Sequence, residues 1–593
     1  MSVLASVFFV LACLVALSGV YCLKKSPDRL IGLSWVITAI VALTCWHALV
    51  AALLSLVTIP VNLWSMGTSD VIVGGVLWWW IRRQRTLQSY RFQPVDWVTT
   101  GVLILFAGAF FALHTGGWEF KLHYATADPA PRLMEALDVV NTRSVTSMFY
   151  HALTNGLLMR MLGPLTTVDH YSKIFVFSDG LFLVLGGLAF YGAIRRYLTT
   201  RLLLVVGLVL TIVYLSAYPL TSTLYGFIYL SMSIVLIGYL AFVADSYLRD
   251  ELDPWPAMVL LMLGCLGLIL CYSMFAPVVF VTVALVLVVK QAGRHRLVSL
   301  ETVLFGLAVF VLPVVLGLIY SYGGIFAGGM TMGTAIAAEG ACYRDLFSNF
   351  LPFLPLAVFG ALKTLRAKET TLPLILLPTM AVFALALFGA GLAGKVSSYY
   401  FYKTYHVLWF AVLYLLMAGV ARIRSRETGV LVGLYGAVWA VVFALTVTNI
   451  DYRLSQKYPL FNPTPKTVML NDIYNWNKET VRSPQGTLPP DQQELYRYVY
   501  QNYVLQGLPP VPVVAYWEDA YWYQAISNQR DSAWVMMSPD PLMDMLASSP
   551  SRYVLVMTDV RSTGYWAHSD YFDALPIVYG NLAGYVAELT PAP

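Results

Sequence analysis

The sequence predicts an all-α polytopic membrane domain of about 14 transmembrane helices followed by a small extracytoplasmic α/β domain. Three observations predict it. Hydrophobic residues make up 59% of the 593 positions and charged residues 12%, about half the charged share of a soluble domain. Apolar stretches recur at the length of about 20 residues that crosses a hydrocarbon core. After residue 448 the composition changes, and Asp, Pro, Gln, Asn and Ser return.

Fourteen spans are expected at about 3–23, 30–55, 60–81, 96–114, 173–194, 202–218, 223–244, 256–271, 274–289, 302–321, 349–364, 372–393, 405–421 and 428–448. Tyr272-Ser273 and Pro277 predict a tight turn inside 256–289. The first stretch lacks a charged leading region and a small-residue cleavage site, so it reads as a retained span. The chain divides into an N-terminal three-helix membrane segment (1–95), a main membrane domain with a long outer loop at 115–172 (96–448), and the tail (449–593).

Basic residues prefer the cytoplasmic side. One set of alternate loops carries 20 Lys or Arg, from Lys24 and Lys25 through Arg82, Arg195, Arg249, Lys290 and Lys363 to Arg422; the other carries 8. The alternation predicts a multi-pass cell-membrane protein with both termini outside. The long polar segments then all fall outside, and no cytoplasmic nucleotide domain is left to drive an ATP-dependent machine. Because the basic residues sit in short loops beside spans, they read as membrane anchors and not as a nucleic-acid surface.

Five cysteines, Cys13, Cys22, Cys45, Cys265 and Cys271, lie in apolar runs, and Cys342 lies in a polar loop. No CxxC pair or metal-ligand spacing is present, so the sequence supports neither a disulfide framework nor a zinc site. Gly389–Lys395 reads G-A-G-L-A-G-K, close to a phosphate-binding loop. Val396 replaces the hydroxyl that such a loop needs, and the segment reads as a glycine-rich helix end.

In the long loop, Asp128 followed by Pro129 marks a helix start: an N-cap with Pro at the first helical position. Leu133, Leu137 and Val140 then share an apolar face. A second helix is expected at about 145–162, lying at the membrane surface. Asp128 has two readings, a helix cap or a carboxylate that takes a proton from an attacking hydroxyl. The two are compatible.

The pattern Asp128-x3-Arg132-x2-Glu135, with Phe149-Tyr150 about twenty residues on, resembles the GT-C superfamily of membrane glycosyltransferases, and within it the actinobacterial arabinofuranosyltransferases that prime cell-wall galactan. Those carry Phe-Tyr-Pro-Pro after the loop helix; here His151-Ala152 stand in place of the two prolines. The resemblance covers the chain from about residue 96. It implies transfer of a sugar, arabinofuranose in the nearest subgroup, from a polyprenyl-phosphate donor to an envelope polysaccharide or other glycan acceptor, with inversion and with Asp128 as catalytic carboxylate. His123, Glu135, Asp138, His151 and Arg344 are further site candidates. Glu119, Asp128, Glu135 and Asp138 leave a divalent cation open.

A second cluster, Lys395 to His406, opens the thirteenth span. Lys403, His406 and Tyr402, with Arg132, are candidates to bind a lipid phosphate. An interfacial aromatic belt with snorkelling lysines gives the same composition. Asp179 inside the fifth span, and Glu339 and Asp345, are also noted.

In the tail, Pro489–Leu508 reads as an amphipathic helix, Val511–Trp517 and Tyr553–Thr558 as buried strands, Pro541–Ser548 as the helix between them, and Tyr585–Leu589 as a last strand. Trp517, Trp522 and Tyr523 belong to an acidic-aromatic cluster with two readings: acceptor binding, or packing of the tail on the membrane domain. Two other functions compete with the enzyme: a flippase for a lipid-linked sugar, and a non-catalytic assembly protein. The sequence shows no repeat of its first half in its second, which a paired-repeat transporter would have.

Overall fold

The computed structural model describes residues 2–23, 32–84, 93–115, 117, 122–145, 150–163, 171–294, 299–322, 353–366, 371–423, 426–447, 473, 477, 480–481, 486–529, 534–535, 539–557 and 569–589. Arg344, Glu339, Asp345, Cys342, Glu119 and Phe149 lie outside these residues.

Ten helices among the described residues are long and apolar enough to cross a membrane. The chain is therefore a largely helical, multi-pass membrane protein with a small C-terminal sheet. In chain order the helices begin with α1 (Ser2–Tyr21), α2 (Gly32–Leu56), α3 (Leu63–Gln84) and α4 (Pro94–His114). The loop region holds strand β1 (His123–Tyr124), α5 (Pro129–Thr142) and α6 (Tyr150–Leu162). Then come α7 (Tyr171–Ile194), α8 (Arg201–Ser216), α9 (Tyr218–Leu224), α10 (Ile228–Leu248), α11 (Pro254–Tyr272) and α12 (Ala276–Gly293).

The ten and the expected fourteen differ in four places. Residues Pro254–Gly293 form one apolar stretch of 40 residues. A 3₁₀ turn at Ser273–Phe275 divides it. Lys290 Nζ donates to Leu248 O at 2.7 Å and pairs with Asp250 at 2.6 Å, so α12 returns to the level at which α11 begins, and the two form a hairpin. Helix α3 is long enough but less apolar than the ten. The helix Leu354–Arg366 has 13 described residues. In the helix Arg426–Val447, Thr428–Val438 is the apolar part. One boundary moves as well: the span expected at 223–244 begins at Ile228, because α9 ends at Leu224 and Gly226 turns the chain with φ +73°. The helix Leu354–Arg366 lies against Tyr405–Val420 through Gly360 and Gly419, where a Cβ on Gly419 would stand 1.9 Å from Gly360 Cα. Only glycine permits so close an approach, a packing typical of membrane helices. The G-A-G-L-A-G-K segment closes the helix Leu372–Leu392, with Gly394 at φ +65°.

The tail carries a five-stranded sheet ordered β4-β3-β5-β7-β6, built from β3 (Val513–Val514), β4 (Trp534–Val535), β5 (Tyr553–Met557), β6 (Ile577–Asn581) and β7 (Gly584–Glu588). Strands β4, β3 and β5 run parallel; β7 and β6 are antiparallel to their neighbours. The expected strand 511–517 shortens to β3, since Trp517 opens a helix, Trp517–Ser527. The amphipathic helix spans Pro490–Val499 and ends in a π turn at Tyr500–Val504.

Tail and loop are joined. Strand β2 (Gly486–Thr487) pairs antiparallel with β1, and Asn141 donates to Asn528 Oδ1 at 3.1 Å. Asn477 is buried; it accepts from Thr221 and donates to the Ser216 and Ala217 carbonyls at the break between α8 and α9. Loop and tail thus share one end of the helix bundle.

The other end is ionic. Arg195, fully buried, pairs with Asp96 at 2.8 Å. Arg196 meets Asp245 and Glu251, Arg249 meets Asp245, and Arg294 meets Asp250.

Candidate functional site

The site grows from the start of α5. Asp128 stands at the N-cap position and Pro129 opens the helix, as the dipeptide predicts. The cap reading needs correction: the Asp128 side chain makes no capping hydrogen bond, and its backbone is already helical at φ −52°, ψ −29°. A capping residue needs extended backbone to aim its oxygen at the next turn. The helix start is held instead from outside. Ala125 N donates to Leu224 O at 2.8 Å, and Thr126 Oγ1 donates to Tyr225 O at 2.7 Å. Pro129 then lies over Gly226, where a Cβ would fall 1.9 Å from Pro129 Cγ. Gly226 therefore serves twice, giving the turn its positive φ and letting the loop approach.

That contact carries α5 to the aromatic turn that follows Gly226. Lys403, at 3% exposure, places its ammonium 4.0 Å from the Tyr399 ring, 4.9 Å from Phe227, 5.1 Å from Tyr229 and 5.2 Å from Tyr272. It also donates to Tyr229 Oη at 3.2 Å. Ring faces carry negative charge and hold a cation within about 6 Å. The Arg132 guanidinium lies 5.1 Å over the same Tyr229 ring, so Tyr229 touches both cations. Asp128 is half-buried. Burial raises its carboxyl above the usual 3.8, against the pull of Lys403 and Arg132. Residues that stand 275 positions apart in the sequence thus share one electrostatic site.

Glu135 completes the loop side. It accepts from Arg132 at 2.6 Å and pairs with His151 Nε2 at 2.5 Å. Burial alone would raise its carboxyl, but Arg132 and His151 outweigh that and hold it at about 2. Glu135 is thereby kept ionised and orients Arg132. His151 is 1% exposed and α6 packs directly on α5, so α6 is a buried helix of the loop and not the surface helix expected. Asp138 sits one turn beyond Glu135, half-buried, its carbonyl accepting from Thr142.

Other candidates fall elsewhere. His406 is buried one helical turn past Lys403, its ring 5.4 Å from Tyr218. Tyr402 packs on Phe401 and Tyr405, at 5.3 and 5.8 Å between ring centres, outside the ring set around Lys403. His123 lies in β1, 6.0 Å from His114. The acceptor reading of the tail cluster is corrected by burial. Trp522 is 4% exposed and stacks on Tyr124 at 6.4 Å. Tyr523 is fully buried and donates to Val511 O. Neither ring has a face to offer a sugar. Tyr124 in turn donates to Asp179 of α7 at 2.5 Å, so this aromatic chain fastens tail to loop to span. Trp517 opens its helix.

Phe227, Tyr229, Tyr272 and Gly226 were invisible as site residues. Single aromatics in apolar runs carry no local signal, and the span expected at 223–244 runs straight through Gly226.

Chemically, the arrangement offers a carboxylate of raised pKa, a suitable proton acceptor, beside two cations that attract an anion. No protein-family model matches the chain, and no curated protein matches it in sequence.

Proposed function

We propose that the chain is a membrane glycosyltransferase of the GT-C type. It transfers a sugar, arabinofuranose by its nearest resemblance, from a polyprenyl-phosphate donor to an envelope glycan acceptor, with inversion. The observation that carries this reading is the meeting of Asp128 and Arg132 from the loop with Lys403 from the helix Ser398–Lys403. Inverting transfer from a sugar phosphate needs one base for the acceptor hydroxyl and positive charge for the departing phosphate. Asp128 supplies the first, and its raised pKa makes it a stronger base than an ordinary aspartate. Lys403 and Arg132 supply the second.

The orientation follows from the charges. The Arg- and Lys-rich end faces the cytoplasm, and loop and tail face outward with both termini. The donor's lipid stays in the bilayer while its head group reaches the loop end.

Asp128→Asn tests the assignment, because Asn removes the base at nearly constant shape. The variant is expected to fold and bind donor as wild type does, and to lose transfer by about 10²–10⁴-fold. Near-normal transfer would place the base elsewhere.

A further inference from the structure

A second polar cluster lies in the N-terminal three-helix segment, on residues unused by the proposed chemistry. Cys13 of α1, His47 of α2 and Asp70 of α3 meet inside otherwise apolar helices. His47 Nε2 lies 2.9 and 3.0 Å from the two Asp70 carboxylate oxygens, and Cys13 Sγ donates to Asp70 Oδ2 at 3.5 Å. The three ligand atoms fall within 4.8 Å of one another. Asp70 is fully buried and His47 is 6% exposed. Counting from the ends of α3 and α2, both sit roughly 10–14 Å deep at 1.5 Å per residue.

We propose that Cys13, His47 and Asp70 form a binding site for a zinc ion that clamps α1 and α3 to α2. Two facts support it. The donor set of thiolate, imidazole and carboxylate is the mixture zinc takes, and the 3.5 Å from Cys13 to Asp70 matches an edge of a zinc tetrahedron, about 3.3–3.7 Å for the usual bond lengths, with His47 to Asp70 slightly shorter. Each ligand comes from a different helix, so the site exists only in the folded bundle and binding is coupled to folding. Spacing in the sequence could not reveal the site, since 34 and 23 residues separate the ligands; the three-helix packing creates it.

The test uses the full-length protein purified in lipid nanodiscs. Elemental analysis after exposure to zinc and washing is expected to find about one zinc per chain, and cobalt in its place is expected to give a thiolate-to-cobalt charge-transfer band. Cys13→Ser is expected to abolish that band, and Asp70→Asn to lower zinc content at least about tenfold. His47→Cys, which restores a ligand, is expected to keep zinc and separates ligand loss from misfolding. Zinc should also raise the thermal midpoint of wild type and not of Cys13→Ser. A monodisperse wild-type protein that takes up no stoichiometric zinc or cobalt would overturn the site, as would a cobalt band that survives Cys13→Ser. Either result would make the cluster a hydrogen-bonded helix clamp.

Discussion

The two ends of the helix bundle solve the same physical problem differently. Each must hold charge in surroundings of low dielectric, where Coulomb interactions are strong and desolvation is costly. At the basic end every buried cation named above meets a carboxylate: Arg195 with Asp96, Arg196 with Asp245 and Glu251, Lys290 with Asp250. At the loop end Lys403 is surrounded by four aromatic rings and a phenol hydroxyl. A carboxylate neutralises its cation and fixes the fold. A ring holds the cation in place without neutralising it. In the proposed reading the ring-held Lys403 serves chemistry and the pairs of the basic end serve the fold, with Arg132, which meets both Glu135 and the Tyr229 ring, between the two.

Mutations at the two ends should therefore fail in different ways. The largest effect is expected at the basic end. Asp96→Ala strands the buried Arg195, and breaking such a pair costs about 3–5 kcal/mol. Thermal unfolding should show the loss, while transfer per folded molecule stays unchanged. Lys403→Met should do the reverse. It keeps the volume, removes the charge, and is expected to weaken binding of a polyprenyl-phosphate sugar about 10–100-fold, the worth of a charged hydrogen bond, with little change in acceptor affinity. Equal donor affinity in mutant and wild type would return Lys403 to an aromatic belt. Gly226→Ala tests how the two clusters are brought together. Its Cβ would meet Pro129 and its φ is positive, so transfer and stability should both fall.

The smallest effect concerns pH. Glu135 is held at about 2 in the fold, below its unfolded value. A depressed carboxylate stabilises above its unfolded pKa, and that contribution is lost as pH falls through the folded one. Stability should drop between the ordinary glutamate value of 4.5 and about 2, and Glu135→Gln should remove that part of the acid transition. Asp128 has the opposite sign: its raised pKa moves the rise of transfer rate with pH above 3.8, an inflection that Asp128→Asn should remove.

The membrane helices, the turn at Tyr272-Ser273, the helix start at Asp128-Pro129 and most tail elements are legible in the sequence, because each rests on a local pattern of apolar length, period or turn residues. The site is half legible. Asp128, Arg132 and Lys403 stand out as charged residues near span ends, but nothing local says that they meet. Their meeting depends on Gly226 and on three tertiary rings, Phe227, Tyr229 and Tyr272, which look like ordinary membrane aromatics. Trp522 and Tyr523 mislead for the converse reason: an acidic-aromatic composition fits an open sugar surface and a buried interface equally well, and only burial separates them.

The central claim is that the loop end transfers sugar from a lipid phosphate. Its most direct test incubates purified protein in nanodiscs with a panel of polyprenyl-phosphate sugars and a glycan acceptor, and measures free polyprenyl phosphate. One donor is expected to release polyprenyl phosphate in step with glycosylated acceptor, and Asp128→Asn to release almost none. Donor binding or movement across the bilayer without release, for every sugar, would contradict the account and point to a flippase.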